Sequence, residues 1–390
     1  MTPTFTYNLT PSIKFGCRLA SKIGEELISV CAVKRVLIVS DSGVVAAGLA
    51  DAVMASLKRN GFAVDLFNGL RGEASTAQID AAAEMIRAVR PAAVIGLGGG
   101  SALDVAKLAT ALSAGNHGAQ YYALMNHPLP RRTAKLIMLP TTAGTGAEVT
   151  RTAVFNSTDH RKVWAWGNEL TADLVILDPE LTLTLPKSLT AATGLDAMVH
   201  AIEACSVKSS HPLVQAFGLH AIRLIFQNLE KAIDRAQDLD ARGKLLMAST
   251  LAGMAIDAAG TGIAHAIGHA LGTVAGIHHG RAAALALNVV FIKNAEAAAD
   301  IHSAIALALG VQADNAPVDK HAKMGARAFA DFIRRTAIEL SLKPDGLTPN
   351  DLNRLVDAIH SNENTPMLDN NCFSASEADI CDFARQLISR

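Results

Sequence analysis

Aromatic side chains are scarce in this sequence, at 4% of 390 residues. That argues against a surface built to stack on carbohydrate rings or RNA bases. Net charge is also missing. Lys+Arg total 35 and Asp+Glu total 36, for a formal net charge of -1. The basic excess usual in nucleic-acid binders is absent, as is the bias of an acidic disordered tail. No run of about 18 consecutive apolar residues occurs, so no membrane-spanning helix is expected. The leading MTPTFTYNLT has no basic stretch followed by an apolar one. No signal peptide is expected, and the expected compartment is the cytoplasm. The five cysteines (Cys17, Cys31, Cys205, Cys372 and Cys381) are scattered and form no CxxC pair. Neither a disulfide framework nor a cysteine zinc site is expected from them.

What is present is a globular composition, 50% hydrophobic and 18% charged, at a length that fits two or three domains. The first half alternates short apolar runs with amphipathic stretches. RVLIVS (Arg35–Ser40), FAVDLF (Phe62–Phe67), AAVIGL (Ala92–Leu97) and KLIMLP (Lys135–Pro140) read as strands. Gly43–Asn60, Thr76–Val89 and Leu103–Leu112 have helical spacing of apolar residues. Strand–helix alternation predicts right-handed βαβ units and a parallel, Rossmann-like sheet. After about Leu185 the strand-like runs stop and helical periodicity takes over, starting with Thr190–Cys205. The expected fold is an α/β domain over residues 1–185 and an all-α domain over 186–390.

Gly98-Gly99-Gly100-Ser101 closes one strand and opens a helix. Glycines there allow a phosphate close to the backbone, and a helix N-terminus offers N–H groups and a positive dipole end. A plain tight turn is the competing reading, since the run is neither GxGxxG nor a Walker A sequence. Asp41 ends the first strand, where an acid can accept bonds from ribose hydroxyls and repel a 2′-phosphate; Asp-Ser-Gly is also good turn chemistry. Thr141, Thr142 and Thr145 lie on a second small-residue turn at a strand's carboxyl end. Two such turns on one parallel sheet favour a dinucleotide.

Asp196 and His200 stand four apart in an apolar helix, and His265 and His269 repeat that spacing later. Residues at i,i+4 share a helix face. His278 and His279 follow, just before Gly280. Each histidine alone reads as a satisfied core or surface side chain. As a set, polar groups on apolar helices are costly to bury unless paired or coordinated. Imidazole and carboxylate ligands suit Fe(II), Zn(II), Ni(II) or Mn(II). The other histidines (His117, His127, His160, His211, His220, His302, His321 and His360) lack such support and read as surface or core.

Five ordered motifs, spread over nearly the whole length, then converge. They are GGGSALDVAK (Gly98–Lys107), PTTAGTGAEVT (Pro140–Thr150), DPELTLTLP (Asp178–Pro186), TAATGLDAMVHAIEA (Thr190–Ala204) and HAIGHALGTVAGIHHG (His265–Gly280). Together they resemble the iron-containing (group III) alcohol dehydrogenases. The resemblance implies a dehydroquinate synthase-like architecture: a dinucleotide-binding α/β domain and a helical metal-binding, catalytic domain. It implies a metal held by Asp196, His200, His265 and His279, with His269 beside the nicotinamide as the catalytic candidate and His278 a spectator. It also implies a pyrophosphate turn at Gly98, Gly99, Gly100 and Ser101, with Asp104 close by. Thr141, Thr142 and Thr145 are expected to line the cofactor, Lys162 to lie near the nicotinamide ribose, and Asp41 to disfavour NADP. The implied cofactors are NAD rather than NADP, and Fe(II) with Zn(II) as the alternative metal. The implied activity is reversible hydride transfer between a small alcohol or aldehyde and NAD. Homodimers or higher homo-oligomers are common in the family; no nucleic-acid or membrane partner is expected.

There are departures. Relatives often carry an Asn-Pro pair between a cysteine near the C-terminus and the last helix. Here the stretch reads DNNCFSAS (Asp369–Ser376). Arg151 could meet an acidic substrate group, but an arginine beside a strand reads more simply as a surface or ion-pair residue. Three other functions stay in view: a cyclising lyase of the same architecture, a hydroxyacid–oxoacid transhydrogenase with resident cofactor, and a non-catalytic binding protein. An intact set of four ligands argues against the last.

Overall fold

The computed structural model describes residues 4–8, 11–28, 31, 33–336 and 338–389. The chain forms two compact units. One takes in residues 11–142 and 146–185, and the other residues 4–8, 143–145 and 186–389. The division falls at Pro186, except that residues 4–8 and the turn tip Ala143–Thr145 group with the second unit.

The first unit carries a parallel sheet. Its strands are β1 (Ser12–Phe15), β2 (Arg35–Asp41), β3 (Ala63–Leu70), β4 (Ala93–Gly98), β5 (Lys135–Pro140) and β8 (Leu174–Leu177), in the order β1-β8-β5-β4-β2-β3. β6 (Thr152–Asn156) and β7 (Lys162–Trp166) form a separate antiparallel hairpin. Its helices are α1 (Ile23–Ile28), α2 (Ser42–Ala46), α3 (Leu49–Arg59), α4 (Thr76–Val89), α5 (Gly100–Leu112) and α6 (Ala119–Tyr122).

The four strands read from the sequence are the four in the middle and on one flank of this sheet. β2, β4 and β5 are near-continuous apolar runs with almost every residue buried. That pattern belongs to parallel strands covered on both faces. Ile23, Leu27, Val53 and Leu57 pack against Val36, Ile38, Ile95, Ile137 and Leu139. The single helix expected over Gly43–Asn60 is in fact two. Gly48, at φ 75°, breaks it between α2 and α3. β1, β8 and the hairpin were not among the strands read from the sequence, although β8 is the apolar run LVIL.

The second unit is helical: α7 (Lys187–Ser206), α8 (Pro212–Asp234), α9 (Leu239–Ala259), α10 (Ile263–Ala275), α11 (His279–Ala297), α12 (Ala299–Ala308), α13 (Val318–Arg335), α14 (Leu352–Ile359), α15 (Thr365–Asn370) and α16 (Glu377–Ile388). α7 packs on α8, α9 and α11 and is buried on almost every side. This explains its lack of a polar face: a helix apolar all round belongs in a core. Among the described residues no single helix is long and apolar enough to cross a membrane.

Candidate active site

The site in the helical unit is built from side chains. Asp196 and His200 lie one turn apart on α7, His265 on the first turns of α10, and His279 opens α11. One ligand atom from each of these residues lies within 4.8 Å of the others, and only His279 among them is not fully buried. Asp196 Oδ1 is 3.4 Å from His279 Nε2. The His200 and His265 rings stack at 4.5 Å between centroids. Gly280 lets α11 approach: a Cβ there would lie 2.1 Å from the Ala192 carbonyl oxygen on α7.

Three nitrogens and one oxygen are a donor set for a divalent first-row ion. Bonds of about 2.0–2.2 Å place ligand atoms about 3–4 Å apart, so small side-chain rotations suffice to close the set. Asp196 Oδ1 and His200 Nδ1 are buried without a hydrogen bond, a costly arrangement that an ion relieves. Burial brings His200 down to about 4, against 6.5 for a free imidazole. The ring is therefore neutral at physiological pH, the form that ligates metal. The residues present thus fit a metal centre.

One residue of the centre was not picked out from the sequence. Glu203, on α7, accepts a 2.5 Å hydrogen bond from His265 Nδ1. It also accepts from the Gly262 and Ala264 N–H groups, at 2.9 and 2.7 Å. A carboxylate on the far ring nitrogen fixes the tautomer, so that the other nitrogen is the one offered to metal. The signal was present: Glu203 falls three residues after His200 and seven after Asp196, on the same helix face. His269 stays outside the donor set, buried, with its ring 5.3 Å from that of His279. His278 is exposed and is the N-cap of α11.

The glycine-rich turn, in the sheet unit, is built from main chain. Gly98 ends β4 with φ 154°, and a Cβ there would lie 2.6 Å from Ala102 Cβ and 3.1 Å from Asp41 Oδ2. Only glycine fits. Gly99 is the N-cap of α5 and offers no side-chain cap, so Gly100 and Ser101 open a helix whose dipole end favours an anion. Thr141 N–H donates to Gly98 O, and the Thr142 side chain lies against Gly99. Thr145 lies on the tip that groups with the helical unit. The neighbouring Gly144 packs on α7, where a Cβ added to it would lie 2.7 Å from Thr193 Cβ.

Asp41 closes β2 beside the turn. Its Oδ1 caps α2 by accepting from Val44 N–H at 2.8 Å. The turn reading of Asp-Ser-Gly is therefore real, and it leaves Oδ2 next to Gly98. Asp104 faces inward, where it pairs with Lys107 at 2.9 Å and accepts from Val154 N–H at 3.0 Å. Burial raises its carboxyl above the usual range, against the opposing pull of Lys107. Lys107 Nζ is wholly buried and donates to the carbonyls of Ala147, Thr150 and Thr152. It thereby ties the strand β6 to helix α5. Lys162, on β7, is paired with Glu73 at 2.8 Å. Arg151, partly buried, lies over the Trp166 ring at 4.8 Å.

Residues 10–179 match the family described as iron-containing alcohol dehydrogenase, and residues 190–387 match the C-terminal region of the same family. The chain belongs to the iron-containing alcohol dehydrogenases. One relative, a choline dehydrogenase of Bacillus subtilis, is 32% identical over 354 residues, which is 90% of this chain and 87% of that protein. A crystal structure of a 1,3-propanediol oxidoreductase superposes with a TM-score of 0.91 at 29% identity, over 99% of this chain and 100% of that one. A sulfoacetaldehyde reductase from Bifidobacterium kashiwanohense, solved in complex with NAD+, gives a TM-score of 0.88 at 27% identity, over 99% of each chain. This iron-type alcohol dehydrogenase is thus an NAD-linked, metal-dependent oxidoreductase acting on small alcohols or aldehydes.

Proposed function

We propose that the enzyme interconverts a short primary alcohol and its aldehyde, with Fe(II) held by Asp196, His200, His265 and His279 and with NAD preferred to NADP. The observation that carries this is the buried meeting of four donor atoms within 4.8 Å. Choline, 1,3-propanediol and sulfoacetaldehyde, named for the relatives, all end a short chain in a hydroxyl or an aldehyde. When bound, the ion polarises the substrate oxygen and the nicotinamide exchanges the hydride.

The chain's own residues do the rest. Asp196 supplies the one negative charge of the donor set. Glu203 holds His265 in a single tautomer. His269, beside the donor set but not in it, orients the nicotinamide ring or holds the proton exchanged with the substrate hydroxyl. Gly98, Gly99, Gly100 and Ser101 receive the pyrophosphate, with Thr141, Thr142 and Thr145 along the cofactor. Asp104, just after that turn, stands close to the cofactor while its carboxylate binds Lys107 and Val154 N–H, and Lys162 with Glu73 stands towards the ribose. Asp41 Oδ2 receives a ribose hydroxyl and repels a 2′-phosphate. Residues 1–185 bind the dinucleotide and 186–390 carry the metal and the chemistry, in a cytoplasmic homo-oligomer with the dimer as its unit.

The test is anaerobic metal analysis of the purified protein, followed by chelation, reloading with Fe(II) or Zn(II), and assay with NAD and NADP on a panel of short alcohols. One ion per chain and NAD-linked turnover restored by reloading is the expected result. Protein that takes up neither ion defeats the assignment. His269→Ala is expected to lower kcat and flatten its pH profile; an unchanged profile removes His269 from proton handling.

A further inference from the structure

α9 and α10 meet at 103° across a break of only a few residues, and His265 lies just beyond it. A helix start leaves its first N–H groups without partners inside the helix. The N-cap of α10 is Gly262, which has no side chain to give. The orphan groups are satisfied from far away in the sequence. Glu203 takes the Gly262 and Ala264 N–H groups, and Asn371 Oδ1 takes that of Ile263 at 3.3 Å.

Asn370 holds the other side of the break. Its Nδ2 donates to Ala259 O at 2.8 Å, the last residue of α9, and to Thr261 O at 3.1 Å. Its Oδ1 accepts from Ser209 N–H and Oγ–H, at 3.2 and 2.8 Å. Asn371 is 2% exposed and is itself held, donating to Asn294 Oδ1 at 3.1 Å and Phe373 O at 3.2 Å. The fit is close: a Cβ on Gly262 would lie 2.8 Å from Asn371 Oδ1.

We propose that Asn370 and Asn371 form a positioning clasp that sets the angle and depth at which α10 delivers His265 to the metal centre. The segment that departs from the family pattern thereby tunes metal affinity without touching the metal. Glu203 links the two, since it caps the same helix start and holds the His265 ring. The inference rests on the metal-centre reading above.

The experiment compares Zn(II) affinity by competition titration of the chelated full-length chain, with the visible spectrum of the Co(II)-loaded protein as a report on donor geometry. Asn371→Ala, and the half-exposed Asn370→Ala should the first not fold, is expected to weaken Zn(II) binding about 10- to 100-fold, as losses behind a metal ligand do, and to alter the Co(II) spectrum. Asn371→Asp, which keeps the acceptor for Ile263 N–H, is expected to recover part of the affinity. Ser209→Ala, which touches Asn370 but not the break, is expected to leave both readouts unchanged. Variants that lose thermal stability while keeping affinity and spectrum within twofold of the parent overturn the clasp and leave the metal centre standing. A parent chain that binds neither ion overturns both.

Discussion

The glycine-rich turn proposed for the dinucleotide and the cluster proposed as the metal centre are built from opposite materials. The turn is main chain: Gly98, Gly99 and Gly100 matter for the side chains they lack, and their partners are near neighbours in sequence or in the adjoining strand. The metal centre is side chain: Asp196, His200, His265 and His279 come from three helices and are oriented by Glu203. A site of the first kind fails when atoms are added, and one of the second when atoms are removed.

The largest expected effect tests that asymmetry at the metal. His265→Ala or Asp196→Ala removes a donor and leaves the remaining polar groups buried. Metal content is expected to fall to background and kcat/KM by at least about 10³-fold, the scale of several kcal/mol of lost polarisation. NAD binding, followed by fluorescence quenching, is expected to persist. A joint loss of cofactor binding would dissolve the distinction between the two regions.

Gly98→Ala is the complementary change. The new methyl meets Ala102 Cβ at 2.6 Å in a backbone region that glycine favours. A cost of about 2–4 kcal/mol in strain and overpacking is expected, read as a lower melting temperature and weaker NAD binding with metal content intact.

How much of this was legible follows from the same contrast. The turn could be read because its residues are contiguous and their strand and helix flank them. Asp196 and His200 could be read because two polar groups at i,i+4 stand out in an apolar helix. His265 and His269 share that spacing, yet His265 is the one that lies with Asp196, His200 and His279, its ring held by Glu203. Glu203 was passed over because a single acid in an apolar helix shows no partner until those 59 to 62 residues away are seen. Asn370 and Asn371 were noticed only as a departure, since an amide's work lies in backbone partners more than 100 residues distant. β1 was missed because a short, mostly exposed edge strand has little pattern to show, whereas β8 is a four-residue apolar run too short to stand out between turns.

Asp41 sharpens the comparison at smaller scale, since one oxygen caps α2 and the other faces the turn. Asp41→Asn keeps a capping oxygen and removes the charge. The NAD-over-NADP ratio of kcat/KM is expected to fall about tenfold, as loss of about 1.4 kcal/mol of discrimination would give, with folding nearly unchanged. A ratio that does not move assigns Asp41 to the turn alone.

A last effect concerns the stability of the fold, through a residue of neither site. His302 is fully buried against Phe291, and burial brings its imidazole down to about 4 from 6.5. Below 6.5 the unfolded chain takes a proton that the folded chain refuses. Stability is therefore expected to be full above pH 6.5 and to decline as the pH falls toward 4, by at most about 3 kcal/mol from this group. Chemical denaturation of a His302→Gln variant between pH 4 and 7.5 is expected to show a shallower decline than the parent.

Lys107 gives the fold an internal cation dressed in peptide oxygens, much as a potassium ion is dressed in water. An amine enclosed in that way, by the carbonyls and by Asp104, leaves no route for a reagent, so acylation of this one lysine must wait until that shell comes apart. The rate at which Lys107 acquires a label then counts openings of the β6 attachment, and a residue with no part in the chemistry becomes a clock for how often the sheet unit breathes.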